Sequence, residues 1–136
     1  MITIIDYEMG NLRSVEKAFE SLGFTARVSA RPEDIASADK VVLPGVGAFR
    51  DCIDNLRNGG FVEPLLAHVQ AGKPLLGICV GMQMLFSESE EFGQHQGLDL
   101  IPGKVVRFPA GMKEGGEYLK VHHMGWNNIS MKKASP

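Results

Sequence analysis

Gly77-Ile78-Cys79-Val80-Gly81 stands between the apolar run Pro74-Leu75-Leu76 and the apolar stretch Met82-Gln83-Met84-Leu85-Phe86. This order reads as a buried strand, a sharp turn that carries a cysteine, and a helix over the second apolar stretch. In a strand-to-helix elbow, side chains two positions either side of the nucleophile would strike neighbouring backbone, and glycine occupies both places here. Such a turn lifts the sulfur out of the sheet and sets it beside a helix N-terminus. There, backbone N–H groups and the helix dipole favour the thiolate. The competing reading is a buried cysteine in an apolar strand with incidental glycines, since cysteine is often a core residue. Five residues alone do not separate the two.

Working outward, the chain alternates strand and helix. Ile2-Thr3-Ile4-Ile5 is a short β-branched strand. Leu12, Val15, Ala18, Phe19 and Leu22 then recur at helical spacing, with Asn11 as N-cap and Gly23 as C-cap. Residues 24–28 read as a second strand and Lys40-Val41-Val42-Leu43 as a third. Phe49, Cys52, Ile53 and Leu56 form a helical stripe that assigns Cys52 to the core. Val62, Leu65, Leu66 and Val69 form another, closed by Gly72 and Pro74. His68 lies off that stripe and reads as a solvated surface residue. Residues 75–78 are the fourth strand, ahead of the elbow. From Gly97 onward the pattern becomes short β-like pieces, 104–108 and 118–122, between Gly- and Pro-rich turns.

Strands alternating with helices imply an α/β fold, a mainly parallel sheet with helices on both faces. Ligands in such sheets bind at the carboxyl ends of the strands. Three segments are expected there: Asp6-Tyr7-Glu8-Met9-Gly10-Asn11, Pro44-Gly45-Val46-Gly47 and the Cys79 elbow. Their convergence favours a nucleophilic role for Cys79. The Pro44-Gly45-Val46-Gly47 loop has the freedom to aim backbone N–H groups at a developing oxyanion, with the Val80 N–H as second donor.

Composition excludes several classes. The 136 residues fit one domain, with 44% hydrophobic and 22% charged residues as in ordinary globular chains. A formal charge of −2 without a basic cluster argues against nucleic acid and anionic membranes as partners. No run approaches the roughly 20 apolar residues of a membrane span, and Met1-Ile2-Thr3-Ile4-Ile5 meets Asp6 too soon for a signal peptide. Two cysteines, Cys52 and Cys79, make no secreted disulfide framework, so a cytoplasmic location is expected.

Four collinear motifs carry a family resemblance. Leu43-Pro44-Gly45-Val46-Gly47-Ala48-Phe49, Gly77-Ile78-Cys79-Val80-Gly81-Met82-Gln83 and His123-Met124-Gly125-Trp126-Asn127 resemble the glutamine amidotransferase subunits of imidazole glycerol phosphate synthases. Asp6-Tyr7-Glu8-Met9-Gly10-Asn11-Leu12 resembles their N-terminal signature, with Glu8 where glycine is usual. The cysteine elbow alone marks the wider class I amidotransferases.

The resemblance implies a flavodoxin-like amidotransferase domain over residues 1–136, incomplete at its C-terminus and covering about two-thirds of a family member. It implies that Cys79 attacks the glutamine side-chain amide, forms a γ-glutamyl thioester and releases ammonia to a (βα)₈-barrel cyclase subunit. Gly47, Val80, Gln83 and Glu91 match positions lining the glutamine pocket or oxyanion hole, and Gly45 and Val46 join them from the same loop. Asn11, His123, Met124 and Trp126 are the expected interface residues. No cofactor and no metal is implied.

One departure stands out. The family completes a Cys–His–Glu triad with a His-x-Glu segment, and the residues two places after His68, His95, His122 and His123 are Gln70, Gly97, Met124 and Gly125. A thiol without its general base is a poor amidase. A second departure is His122, at a position usually proline. The alternatives are a non-catalytic cyclase-binding fragment, or another class I amidotransferase or cysteine hydrolase with the same elbow.

Overall fold

The computed structural model describes residues 1–121 and 125–132. In chain order the elements are β1 (Ile2–Ile5), α1 (Leu12–Ser21), β2 (Ala26–Ser29), α2 (Glu33–Ser37), β3 (Lys40–Leu43), α3 (Phe49–Asn58), α4 (Val62–Gln70), β4 (Leu75–Gly77), α5 (Val80–Gln83), β5 (Phe86–Ser89), β6 (His95–Gln96), β7 (Ile101–Val105), β8 (Lys113–Glu114) and β9 (Glu117–Tyr118). The first four strands form one sheet in the order β2-β1-β3-β4, all pairs parallel. The α/β reading of the sequence is therefore the observed architecture. A second sheet of order β6-β5-β7 and a β8–β9 hairpin follow.

Strand pleating divides the first sheet into two faces. Ile5, Val41 and Leu43 point to one face and join Phe49, Cys52, Ile53 and Leu56 of α3, Leu65 of α4 and Ile35 of α2 in the core. All four stripe residues of α3 are buried, Cys52 completely, so its core assignment holds. Helix α1 lies against β1 and β2. It begins after Asn11, whose carbonyl accepts the Val15 N–H at 3.2 Å while its side chain makes no capping bond. Gly23, at φ +80, follows its end.

Three readings are corrected. His68 is buried, not solvated, because the buried face of α4 runs through Phe61, Leu65 and His68 at helical spacing. Its Nε2 lies 3.0 Å from the Pro74 carbonyl oxygen, which ties the end of α4 to the start of β4. The helix after the elbow is a single turn, α5, and Phe86 already belongs to β5. The backbone beyond Gln83 finds its partners in the connection between β6 and β7: Leu98 N–H bonds Met84 O at 2.8 Å and Leu100 N–H bonds Leu85 O at 2.9 Å. Finally, the late β-like pieces are displaced, to Ile101–Val105 and Glu117–Tyr118. His122 of the expected 118–122 piece lies outside the described residues.

The face opposite the core is only partly covered by α1. Ile2, Phe19, Val42 and Leu76 line an open groove of about 480 Å³ there, and Leu76 is 50% exposed. Open apolar patches promote association. The isolated 136-residue polypeptide is expected to self-associate, and Leu76→Lys to shift it toward monomer. Sedimentation velocity on both checks this, and a monodisperse wild-type monomer contradicts it.

Candidate active site

β1, β3 and β4 end side by side in the sheet, so their exit loops converge. These are the three segments expected to meet. The elbow is built as its glycines require. Cys79 has φ 56 and ψ −120, a left-handed conformation that a non-glycine residue adopts only under strain. A Cβ on Gly77 would lie 2.6 Å from Met82 Cα, and one on Gly81 would run into the Leu43 carbonyl oxygen. The thiol of Cys79 is exposed. The turn is closed by Ile78 N–H to Leu43 O at 3.0 Å and Gly81 N–H to Ile78 O at 3.0 Å. Because α5 is one turn long, the dipole anticipated behind the sulfur is that of a minimal helix.

The 44–47 loop packs directly on this elbow. A Cβ on Gly45 would stand 2.5 Å from the Gly81 nitrogen. Val46 is exposed, and Gly47 sits at φ +92, which its lack of a side chain permits. Val80 is buried at the start of α5, and its N–H enters none of the backbone bonds that close the elbow. Gln83 ends that same turn, its N–H bonded to Cys79 O at 3.1 Å. Glu91 comes from the turn after β5 and accepts the Phe49 N–H on Oε2 at 2.6 Å, which caps α3 just beyond the loop. Thus Gly45, Val46, Gly47, Val80, Gln83 and Glu91 gather around Cys79 or around the loop that faces it.

The interface residues are less concentrated. Asn11 closes the loop after β1, whose Gly10 approaches Pro44. Trp126 is fully exposed. His123 and Met124 lie outside the described residues. Among the described residues no histidine hydrogen-bonds Cys79, and no group of three His, Cys, Asp or Glu side chains could hold a metal ion.

The sequence reading missed what lies under the 44–47 loop. Tyr7 Oη donates to Pro44 O at 2.6 Å, Cys52 Sγ to Val46 O at 3.2 Å, and the Val46 N–H to Met9 O at 3.1 Å. Burial, reinforced by neighbouring Cys52, raises the Tyr7 hydroxyl well above the ordinary phenol range, and burial pushes the Cys52 thiol up. Both groups are protonated donors at neutral pH. Nothing local in the sequence announces them, since each contact joins different elements. A cleft of about 370 Å³ flanks this buttress, lined by Asp6, Tyr7, Glu8, Asn55 and Phe61.

The two cysteines are expected to differ in reactivity. A glutamine-mimicking alkylator should label Cys79 and spare Cys52, which is 0% exposed. Peptide mapping after limited alkylation reads the outcome, and preferential labelling of Cys52 would reverse the assignment. Glu8 gives a stability test. Its φ of +71 explains why glycine is usual at that place, although the Asp6 carboxylate relieves the turn by accepting the Glu8 N–H at 3.1 Å. Glu8→Gly should stabilise the fold by about 0.5–1 kcal/mol, the left-handed penalty less the entropy of glycine. The shift of the chemical-denaturation midpoint measures it.

Comparison with known proteins agrees with this geometry. Residues 5–113 match the model of the CobB/CobQ-like glutamine amidotransferase domain. The chain is 65% identical over 136 residues to the imidazole glycerol phosphate synthase subunit HisH of Syntrophotalea carbinolica, all of this chain and 66% of that protein. It is 63% identical over 135 residues to the subunit of the same name from Geobacter sulfurreducens, 99% of this chain and 65% of that protein. The chain thus spans a little under two-thirds of the length of these relatives. A crystal structure of a glutamine amidotransferase superposes with a TM-score of 0.68 at 21% identity, over 83% of this chain and 60% of that one, a likeness of fold. With a family model matched over most of its length and the elbow in place, the chain belongs to the glutamine amidotransferase domain family.

Proposed function

We propose that this chain is the N-terminal two-thirds of a glutaminase subunit of imidazole glycerol phosphate synthase. The observation that carries the reading is the strained, exposed Cys79 on an elbow whose Val80–Gly81 backbone packs against the 44–47 loop. In this reading Cys79 Sγ attacks the glutamine side-chain carbonyl carbon, and the carbonyl oxygen becomes an oxyanion. The Val80 N–H and one N–H from the 44–47 loop stabilise that charge. Ammonia leaves with a proton, and a γ-glutamyl thioester remains. Water then attacks the thioester, releasing glutamate and restoring the thiol. Gln83 and Glu91 bound the pocket for the rest of the substrate. Among the described residues no histidine hydrogen-bonds Cys79 to act as its general base.

The ammonia passes to a (βα)₈-barrel cyclase subunit in a cytoplasmic heterodimer, for a lyase step that makes imidazole glycerol phosphate. Asn11, His123, Met124 and Trp126 form the docking side. The complete exposure of Trp126 supports this, since aromatic anchors concentrate binding energy at interfaces. The relatives' subunit names support the same partner.

Partner dependence follows from the loop. β3 lies between β1 and β4 in the sheet. The Val46 N–H is spent on Met9 O in the loop after β1, whereas Cys79 stands in the loop after β4. Docking that turns this N–H to the elbow side completes the oxyanion hole. Glutamine hydrolysis by the full-length protein should rise on addition of the cyclase with its nucleotide ligand. Cys79→Ala should abolish it, and Gly47→Val should lower the stimulated rate by about 10²–10³, the worth of one oxyanion donor. Equal rates with and without the cyclase refute partner gating. Cyclase binding without any glutamine hydrolysis favours the non-catalytic reading.

A further inference from the structure

The buried thiol of Cys52 has no place in the glutamine chemistry, yet it touches the loop on which that chemistry depends. We infer that Cys52 is a positioning residue, a latch that holds the oxyanion loop in its resting orientation. The inference rests on the glutaminase reading and adds to it the group that sets the resting rate. Cys52 stands on α3, completely buried, with Sγ 3.2 Å from the Val46 carbonyl oxygen. A thiol has one proton to give. Tyr7, the other polar group beside the sulfur, donates its own proton to Pro44 O at 2.6 Å.

Val46 is consequently held at both ends. Its N–H is engaged by Met9 O at 3.1 Å and its C=O by Cys52 Sγ. Peptide planes are rigid, so a change in the direction of the Val46 N–H is taken up in the dihedrals of Gly45, Val46 and Gly47. Turning that N–H toward the elbow while the carbonyl stays on Cys52 confines the change to the Gly45 side, where the backbone is crowded by Gly81 and Tyr7. Release of the carbonyl by Cys52 spreads the change into Gly47, whose φ of +92 shows the freedom available there. Loss of the thiol proton therefore favours the catalytic orientation. A neutral hydrogen bond of ordinary net strength sets the expected size at about 2–5-fold.

The test uses the full-length protein without the cyclase, and kcat and KM for glutamine are measured. Cys52→Ala should raise kcat about 2–5-fold with KM unchanged, and Cys52→Ser, which keeps a donor, should restore the wild-type kcat. An unchanged or lowered kcat in Cys52→Ala, or a serine variant that behaves like alanine, overturns the latch. The infrared S–H band that disappears in Cys52→Ser provides a reading on the wild-type protein itself. It should lie at a hydrogen-bonded frequency at rest and move to the free-thiol frequency when the cyclase and its nucleotide dock. A free-thiol band at rest overturns the latch even if the alanine variant does not fold. Wild-type hydrolysis that does not respond to the cyclase refutes partner gating instead, and the resting band still decides the role of Cys52.

Discussion

The carbonyl of Leu43 faces Gly81 with no room for a side chain between them, and the opposite wall of the same contact is Gly45 against the Gly81 nitrogen. This approach of two backbones requires that β3 and β4 be neighbours in register, Leu43 opposite Gly77, so that their exit loops start level. It also requires a rigid floor. Leu43 and Phe49, both fully buried, supply it from the core face of the sheet and the first turn of α3. Cys79 sits between these contacts, and its left-handed backbone is held by the surrounding packing.

Contact this tight would ordinarily give an immobile loop. The layer beneath the 44–47 loop is instead polar: a phenol, a thiol and a backbone carbonyl, each hydrogen-bonded to the loop. Hydrogen bonds are directional and exchangeable, whereas interdigitated apolar side chains resist discrete rearrangement. A loop resting on three such bonds has defined orientations separated by the breaking of one or two. The elbow side of the site is thus fixed by sterics, and the loop side is set by bonds that can be exchanged. Under the proposed glutaminase reading, that division keeps the nucleophile placed while an oxyanion donor arrives.

Much of this was legible from the chain. The β-branched run at residues 2–5, the stripe through Phe49, Cys52, Ile53 and Leu56, and the run at residues 40–43 each carry their own periodicity, and each element is found where that periodicity places it. The elbow was legible because one of its glycines, Gly77, answers to a local steric demand, the backbone of Gly81 and Met82. Hydropathy failed at His68, where helical geometry puts an imidazole on the same face as Leu65 and the Pro74 carbonyl receives it. It failed again after Gln83, where Phe86, compatible with a helix, was taken into β5, a strand whose partners lie about six to sixteen residues downstream. The five-residue α2 escaped notice because so short a helix has no full period to display.

By itself, then, the sequence determined the alternation of strands and helices, the family and the place of the cysteine elbow, because these depend on residue type at short spacing. Tertiary structure alone decided that Glu91 would cap α3 across 42 residues, that Tyr7 would support Pro44 across 37, and that the thiol of Cys52 would meet Val46. Those contacts depend on which strands lie adjacent and which way each loop leaves the sheet. Such distances in space leave no trace in local composition.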